Sequence, residues 1–595
     1  MEIRKKNPDF SIDKIPYDDK AVFEMLSRGD TYGVFQFESE GMTNTIVRLQ
    51  PVGLEDLIAV ISLYRPGPMD SIPTYIRNRH NPQLVSYKTP LLKNILEVTY
   101  GCIVYQEQVM QIFRTLAGYS YGRADVVRRA MAKKKHSVLE NERKAFIYGS
   151  KNEDGTVNCV GAVANGVPER VANEIFDEMI SFASYAFNKS HAAAYATVAY
   201  QTAYLKCHYL KEYMAALMTS VMLEGGNKLV EYCGDCEKSG IKILKIDVNK
   251  SDIGFSVEEE GIRFALLAVK SLGRNAIENV IAERNRKGPF KNLVDFCERC
   301  SGKDINSRAI EAFIKSGAFD SFPENRRMMM QNFENIISGA NSFKRNEVEG
   351  QVDLFGDSSE DISTGYEIPY VEEYDTMTLL EYEKEVMGMY VSGHPLDAYK
   401  HLSIASKHIE ISSLLLENED GEYSVPDNQK VNFLGMMRSR KLFTTRNGGR
   451  MAFTVFEDNT SSIEVIIFPN IFEANVSKLV NNSIFEIKGH ISLKDDEEPK
   501  VIADEIIPVE NFVSNCKKRN VCVKLKTDEK DKIERIKKFA SDNKGDGKLL
   551  FYLDDLKKIT TLKGFETIDI TDDTVSKLFE IAGNDNVRFT LLKGN

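Results

Sequence analysis

The stretch Tyr119 to Lys144, YSYGRADVVRRAMAKKKHSVLENERK, sets the hardest condition on the fold. Eight cations (Arg123, Arg128, Arg129, Lys133, Lys134, Lys135, Arg143 and Lys144) stand against Asp125, Glu140 and Glu142, a local charge of +5 in a chain whose net charge is −11. At ~3.6 residues per turn, Val126, Val127, Ala130 and Met131 make an apolar stripe and Arg128 comes near Lys135. A helix packed on one side and crowded with like charge on the other is costly unless an anion answers it. The cations cluster by sign instead of alternating with acids. That favours a polyphosphate or nucleic-acid backbone as partner over a merely solvated face.

The length of 595 residues fits about three to five domains. Hydrophobic content of 42% and charged content of 28% are those of ordinary water-exposed globular chains. No apolar run approaches the ~18–20 residues of a membrane span, and MEIRKKNPDF lacks the apolar core of a signal peptide. Nine cysteines, an odd number and scattered, argue against a disulfide framework, so a cytoplasmic location is expected. An acidic total argues against non-specific coating of nucleic acid but leaves room for a local basic groove.

Residues 1–235 read as mostly helical. Val34-Phe35-Gln36-Phe37 is a short strand or helix entry ending at Gly41. The apolar run Leu57 to Leu63 is stopped by Arg65-Pro66-Gly67-Pro68, which puts Arg65 on a rigid corner suited to an anion contact or simply to ending a helix. Gly101 to Leu116 has helical spacing, with amides at Gln106, Gln108 and Gln111 that are either surface groups or contacts to sugar or base. FASYAFNKSHAAAYATVAYQTAYLKCHY reads as a long, tightly packed helix. At its start, Asn188, Lys189, Ser190 and His191 form a polar cluster where free backbone N–H groups favour anions, although Asn188 or Ser190 also suits a plain N-cap.

YGVFQFESEGM, Tyr64-Arg65-Pro66-Gly67-Pro68, Tyr105-Gln106-Glu107-Gln108-Val109-Met110-Gln111, RRAMAKKK and FNKSHAAAYA occur in that order. They resemble the fingers region of bacterial DNA polymerase III alpha subunits, the C-family of replicative polymerases. The resemblance implies that the helix carrying Arg128 and Arg129 faces incoming nucleoside triphosphate and template. Ala132, Ser184 and Ala186 stand where that family commonly has glycine.

Residues 240–325 resemble the family's tandem helix-hairpin-helix region, which offers backbone N–H groups to duplex phosphates. Phe264 to Gly273 followed by Ala276-Ile277 reads as helix, tight turn, helix, with Ser271 in place of the first turn glycine; Ala309 to Asp320 is the second unit. Residues 326–427 are expected to be a linker, poorest in periodicity from 336 to 380. It holds Gln351-Val352-Asp353-Leu354-Phe355-Gly356, an exposed Leu-Phe pair suited to a partner's pocket. In the family this position holds the sliding-clamp peptide, with Gln351, Leu354 and Phe355 as anchors.

Residues 428–512 alternate as strands with a helix-like Phe472 to Leu479, suggesting an OB-fold β-barrel. Arg438, Arg440, Lys441, Phe443, Arg446, Arg450 and Phe453 are candidates for single-strand contacts. Residues 513–595 suggest a small α/β domain, at the family's position for the clamp-loader tau contact. The fold class is thus multidomain: helical fingers and helix-hairpin-helix region, OB barrel, then α/β domain.

Cys233/Cys236 and Cys297/Cys300 invite a zinc reading, but each pair lies in a helical pattern and the pairs are too far apart. Asp554-Asp555 reads as a turn pair without a third carboxylate. Phosphoryl transfer needs metal ions, in this family Mg2+, on fixed carboxylates. In the resembled family these lie in a palm segment that precedes the fingers, and none of its motifs is found here, so no catalytic residue is assigned. The expectation is a DNA-directed DNA polymerase (a nucleotidyltransferase using deoxynucleoside triphosphates) present without its palm and inactive in isolation. Its expected partners are primer-template and single-stranded DNA, the sliding clamp, the tau subunit and the palm segment, with no membrane. A non-enzymatic clamp- and single-strand-binding module is the alternative; a tRNA-binding protein is a remote third.

Overall fold

The computed structural model describes all residues except 1, 66–67, 133–135, 153, 184–186, 224–227, 301, 303–304, 349–367, 417–422, 446, 495–497, 563 and 591–595. The chain divides into two units, one of residues 1–374 with 385–389, the other of residues 375–384 with 390–595.

The first unit is helical around two hydrophobic cores. One gathers α1 (Leu54–Leu63) and the long helix near residue 200; the other gathers the basic stretch. In α1 eight residues are buried, Asp56 and Ser62 among them. Asp56 can be buried because Arg79 donates to both its oxygens at 2.8 Å, and a buried charge must be paired. The second core holds α2 (Gln106–Ala117) and α3 (Tyr121–Ala132). The expected long helix is α4 (Lys189–His208); its buried Ala192, Ala196, Ala199 and Ala203 recur at four, three and four residues, the spacing of one helical face. Small side chains there let neighbouring helices approach closely, and Tyr200 is fully buried on the same side.

One local reading is settled and one changes. Residues 31–38 form successive turns that enter the helix Glu40–Leu49, so the helix-entry reading holds over the strand, with Gln36 at φ 66°. Gly41 does not end an element but lies inside the helix Glu40–Leu49, where a Cβ would sit 2.1 Å from the Tyr64 hydroxyl. The closely packed tyrosine, not a turn, explains that glycine.

In the helix-hairpin-helix region, Phe264–Gly273 is not a helix. A strand, Gly261–Arg263, leads into one 3-10 turn, Leu266–Ala268, before α5 (Arg274–Lys287). Ser271 stands at φ 69°, so the turn keeps the glycine-type backbone without the glycine. The second unit is α6 (Ser307–Ser316), closed by Gly317 at φ 78°, where a Cβ would lie 2.1 Å from Arg326 Nη2. Arg326 donates to both oxygens of Asp320 at 2.7 Å. The expected linker is partly helical. α7 (Arg326–Val348) runs well into it, with Met329, Phe333, Ile336, Ile337 and Ala340 buried. Two further helices, Thr376–Met387 and Lys400–Ala405, also fall within 326–427.

The second unit holds a closed barrel of β1 (Lys430–Thr444), β2 (Arg450–Glu457), β3 (Ser462–Ile467), β4 (Ile484–Ser492) and β5 (Lys500–Pro508), ordered β5-β3-β2-β1-β4. Its helix, α8 (Pro469–Asn475), begins three residues before the expected Phe472. β1 shifts register between Met437 and Ser439, and its last residues, 439–444, are all exposed. Beyond the barrel, Asn520–Leu525 and Gly547–Leu553 pair in parallel through the helix Lys530–Asp542, the core of an α/β sheet.

Candidate nucleic-acid interface

α3 buries Ala124, Val127 and Met131, whereas Val126 is 64% exposed, so the expected four-residue stripe is corrected to a narrower face. That rotation puts Arg128 and Arg129 over Asp125. Arg128 donates through Nε and Nη2 to one Asp125 oxygen at 3.1 and 2.8 Å; Arg129 pairs with the other at 2.7 Å. Hydrogen bonds from Arg128, then the charges of Arg128 and Arg129, hold the Asp125 carboxyl below its ordinary range although slight burial opposes this. Two cations thus share one anion, leaving a net positive charge, and the Arg129 side chain is 69% exposed. Arg123 is committed to Glu142 at 2.9 Å and lies over the Tyr119 ring; Arg143 pairs with Asp177. Lys133, Lys134 and Lys135 lie outside the described residues.

At the start of α4 the expected anion position is already filled. Glu107, in the first turn of α2, accepts from the Lys189 backbone N–H through both oxygens at 3.2 Å and from Asn188 Nδ2 at 2.8 Å. Asn188 is the N-cap, its Oδ1 accepting from the His191 N–H at 2.9 Å. Lys189 Nζ pairs with Glu55 at 3.0 Å and sits 5.3 Å from the Tyr105 ring centroid. Ser190 and His191 face outward. The His191 ring lies between Phe187 (centroids 5.2 Å apart) and Tyr195 (4.6 Å), and Tyr195 meets the exposed Phe35 at 5.6 Å. The Arg65 guanidinium caps this row, 3.6 Å from the Phe187 centroid. Sequence reasoning found Arg65 at one end and His191 in the middle, and missed the rings of Phe187, Tyr195 and Phe35 as their partners. Tyr195, four residues after His191 on a helix, was the available signal. Of the three amides in α2, Gln108 proves structural: it is buried, donates to Ile95 O and Thr99 Oγ1, and accepts from the Val104 and Tyr105 N–H groups.

On the barrel, β1 and β2 extend as a two-stranded arm. Lys441 lies opposite Phe453 and Phe443 opposite Met451, so Lys441, Phe443 and Phe453 share one face. Phe443 is 57% exposed and meets Phe453 edge-on at 6.4 Å. Lys441 and Arg450 are exposed and have no charged partner among the described residues. Arg440 donates to Leu479 O at 2.7 Å and Arg438 pairs with Glu457, so these two are structural anchors as much as candidate contacts. Arg446 lies outside the described residues, as do Gln351, Leu354 and Phe355.

Cys233 and Cys236 are buried along one helix, Lys228–Lys238, and burial pushes both thiols well above their usual range, Cys236 to about 12. Asp554 is held by Lys524 and Lys557, and Asp555 by the Thr527 N–H and hydroxyl. Among the described residues no helix is long and apolar enough to cross a membrane, and no three His, Cys, Asp or Glu side chains gather as for a metal ion.

Residues 240–329 match the helix-hairpin-helix motif family and residues 431–509 the OB-fold nucleic acid binding domain family. With the ring-and-cation arm on that barrel, the molecule falls in the class of multidomain nucleic-acid-binding proteins. Residues 1–154 match the bacterial DNA polymerase III alpha subunit finger domain. Three curated relatives carry the name DNA polymerase III subunit alpha. That of Thermus aquaticus is 40% identical over 91% of this chain and 42% of its own length. Those of Borreliella burgdorferi and Bacillus subtilis are 36% and 34% identical over 96% and 98% of this chain, and 49% and 50% of their own lengths. The chain is similar to bacterial DNA polymerase III alpha subunits along more than nine-tenths of its own length, and it spans about half the length of the curated relatives it matches.

Proposed function

We propose that this chain is the nucleotide- and DNA-handling part of a replicative DNA-directed DNA polymerase. The observation that carries the reading is the finger-domain match over residues 1–154, which contains two arginines sharing a single aspartate on a half-exposed helix. Such a pair retains net positive charge toward solvent and suits the polyphosphate of a deoxynucleoside triphosphate; Lys133, Lys134 and Lys135, next in the sequence, are carried as further phosphate contacts on the resemblance alone. Arg65 and the ring row toward Phe35 offer stacking and charge for template or substrate. The helix-hairpin-helix region, 240–325, holds duplex through backbone N–H groups, and the barrel arm holds the single strand through Lys441, Phe443 and Phe453.

The resemblance extends the reading to partners: the sliding clamp for the peptide 351–356, and the clamp-loader tau subunit for residues 513–595, in the cytoplasm. The family's chemistry implies Mg2+. The described residues do not fit it: no three His, Cys, Asp or Glu side chains gather among them as for a metal ion, and the Asp554-Asp555 pair is committed to lysines and a threonine, so no step is assigned to a metal here. The activity is therefore proposed for this chain acting with a palm-bearing polypeptide.

The test is direct. The chain should bind dATP, and the double variant R128A/R129A should lose most of that binding; mixed with a palm-bearing polypeptide of the family, the wild-type chain should support primer extension. A chain that binds single strands but neither dATP nor a palm partner is the binding module and not the polymerase part.

A further inference from the structure

Glu107 ties the two cores of the first unit together at one point. Its helix, α2, packs with the basic helix α3 in one core, while its carboxylate grips the first turn of α4, which packs in the other. The join is reinforced by the Gln106 N–H donating to Phe187 O at 3.0 Å and by a parallel bridge between Tyr105 and Phe187. The carboxylate also decides which way the Asn188 amide points. With Nδ2 donating to Glu107, Oδ1 is left to accept from the His191 N–H. Glu107 therefore acts on His191 and its neighbouring rings through Asn188.

We infer that Glu107 is a positioning residue for substrate: it locks the Asn188 amide and so sets the His191 ring and the Phe187–Tyr195 row beside Arg65. This rests on the reading of the fingers as a triphosphate surface. A carboxylate is suited to the task because ionised hydrogen bonds are roughly twice as strong as neutral ones and a helix N-terminus favours negative charge.

The test uses the full chain and the variants E107A, E107Q, N188A and E107A/N188A, with two readouts. The first is amide exchange at Lys189 and His191; the second is the dissociation constant for dATP. E107A should speed exchange at both amides and weaken dATP about tenfold, with E107Q, which keeps one accepting oxygen, falling between. If Glu107 works through Asn188, the double variant should bind dATP no worse than N188A alone. Unchanged exchange at His191, additive losses, or tighter dATP binding in E107A would each overturn the inference, the last by making Glu107 a competitor of phosphate. A wild-type chain that fails to bind dATP sinks the triphosphate reading and the substrate role with it, whereas wild-type binding with E107A unchanged sinks only the role of Glu107.

Discussion

The basic helix α3 and the barrel arm look alike in sequence, both dense in Lys and Arg, yet they handle that charge differently. On α3, Asp125 lies three and four residues from Arg128 and Arg129, and the helix brings all three together. On the arm, neighbours along a strand point to opposite faces. Opposite Lys441 stands Phe453 and opposite Arg450 stands Thr444, so no acid meets either cation. The same net charge thus becomes a damped field on the helix and an open one on the arm. Acids elsewhere in this acidic chain are used on helix starts: Glu107 for α4, Glu373 for the N–H groups of Arg326 and Arg327, and Asp572 for those of His401 and Leu402.

The largest expected effect removes the arm's foundation. His408 Nε2 lies 3.1 Å from Glu486 Oε1 on β4, with both side chains almost fully buried, while Ser403 faces the other ring nitrogen at 3.0 Å and Phe512 packs on the ring. Burial opposes ionisation of Glu486, but the hydrogen bond and charge of His408, with Lys488 and Arg519, hold its carboxyl below the ordinary 4.5. H408A leaves a buried carboxylate uncompensated and should destabilise the second unit by roughly 3–5 kcal/mol, read as a fall in melting temperature. The sign of the pH effect follows from the lowered value. The stabilisation is present above pH 4.5 and drains as the pH falls below it through the folded-state value. A wild-type melting curve that rises on acidification through that range would contradict the pairing.

Next is the arm itself. F443A/F453A removes two half-exposed or exposed rings, each worth roughly 1–3 kcal/mol per stacked base. Oligo-dT affinity, read by fluorescence anisotropy, should fall at least tenfold with the melting temperature nearly unchanged. Equal affinity would reduce the arm to a solvated hairpin and dissolve the contrast with α3. D125N tests the contrast from the other side. Freeing Arg128 and Arg129 should tighten binding of polyanions a few-fold at low salt and steepen the salt dependence by roughly 0.7–1.4 on single strands, since each newly engaged phosphate contributes about 0.7. An unchanged slope would mean that Asp125 does not restrain the pair.

Much of this was legible in the sequence for a physical reason. The alanine spacing of α4, the alternation that makes the barrel, and the apolar run of α1 report local periodicity, which secondary structure obeys directly. What was misread depended on contacts distant in sequence. Glu107 reaches across 82 residues to Lys189, so the cluster at Asn188 looked vacant. Gly41 resembled a stop because the hydroxyl of Tyr64 that requires it lies over 20 residues away. α7 was overlooked in a polar stretch even though Met329, Phe333, Ile337 and Ala340 keep helical spacing; there the pattern was present and composition outweighed it.

The smallest expected effect settles how α3 is rotated, and with it which charges face outward. If Val126 belonged to the packed stripe, V126A would remove buried methyl groups and cost on the order of 1.5–3 kcal/mol. In the structure Val126 is 64% exposed while Val127 is buried, so V126A should change stability by less than about 0.5 kcal/mol, measured by urea denaturation. The two outcomes differ by more than the measurement error. A near-zero result fixes Arg129, three residues on and on the same side, as solvent-facing and available to a polyanion. A large loss would turn the helix inward, bury Arg129, and leave the barrel arm as the stronger anion-facing surface of the two.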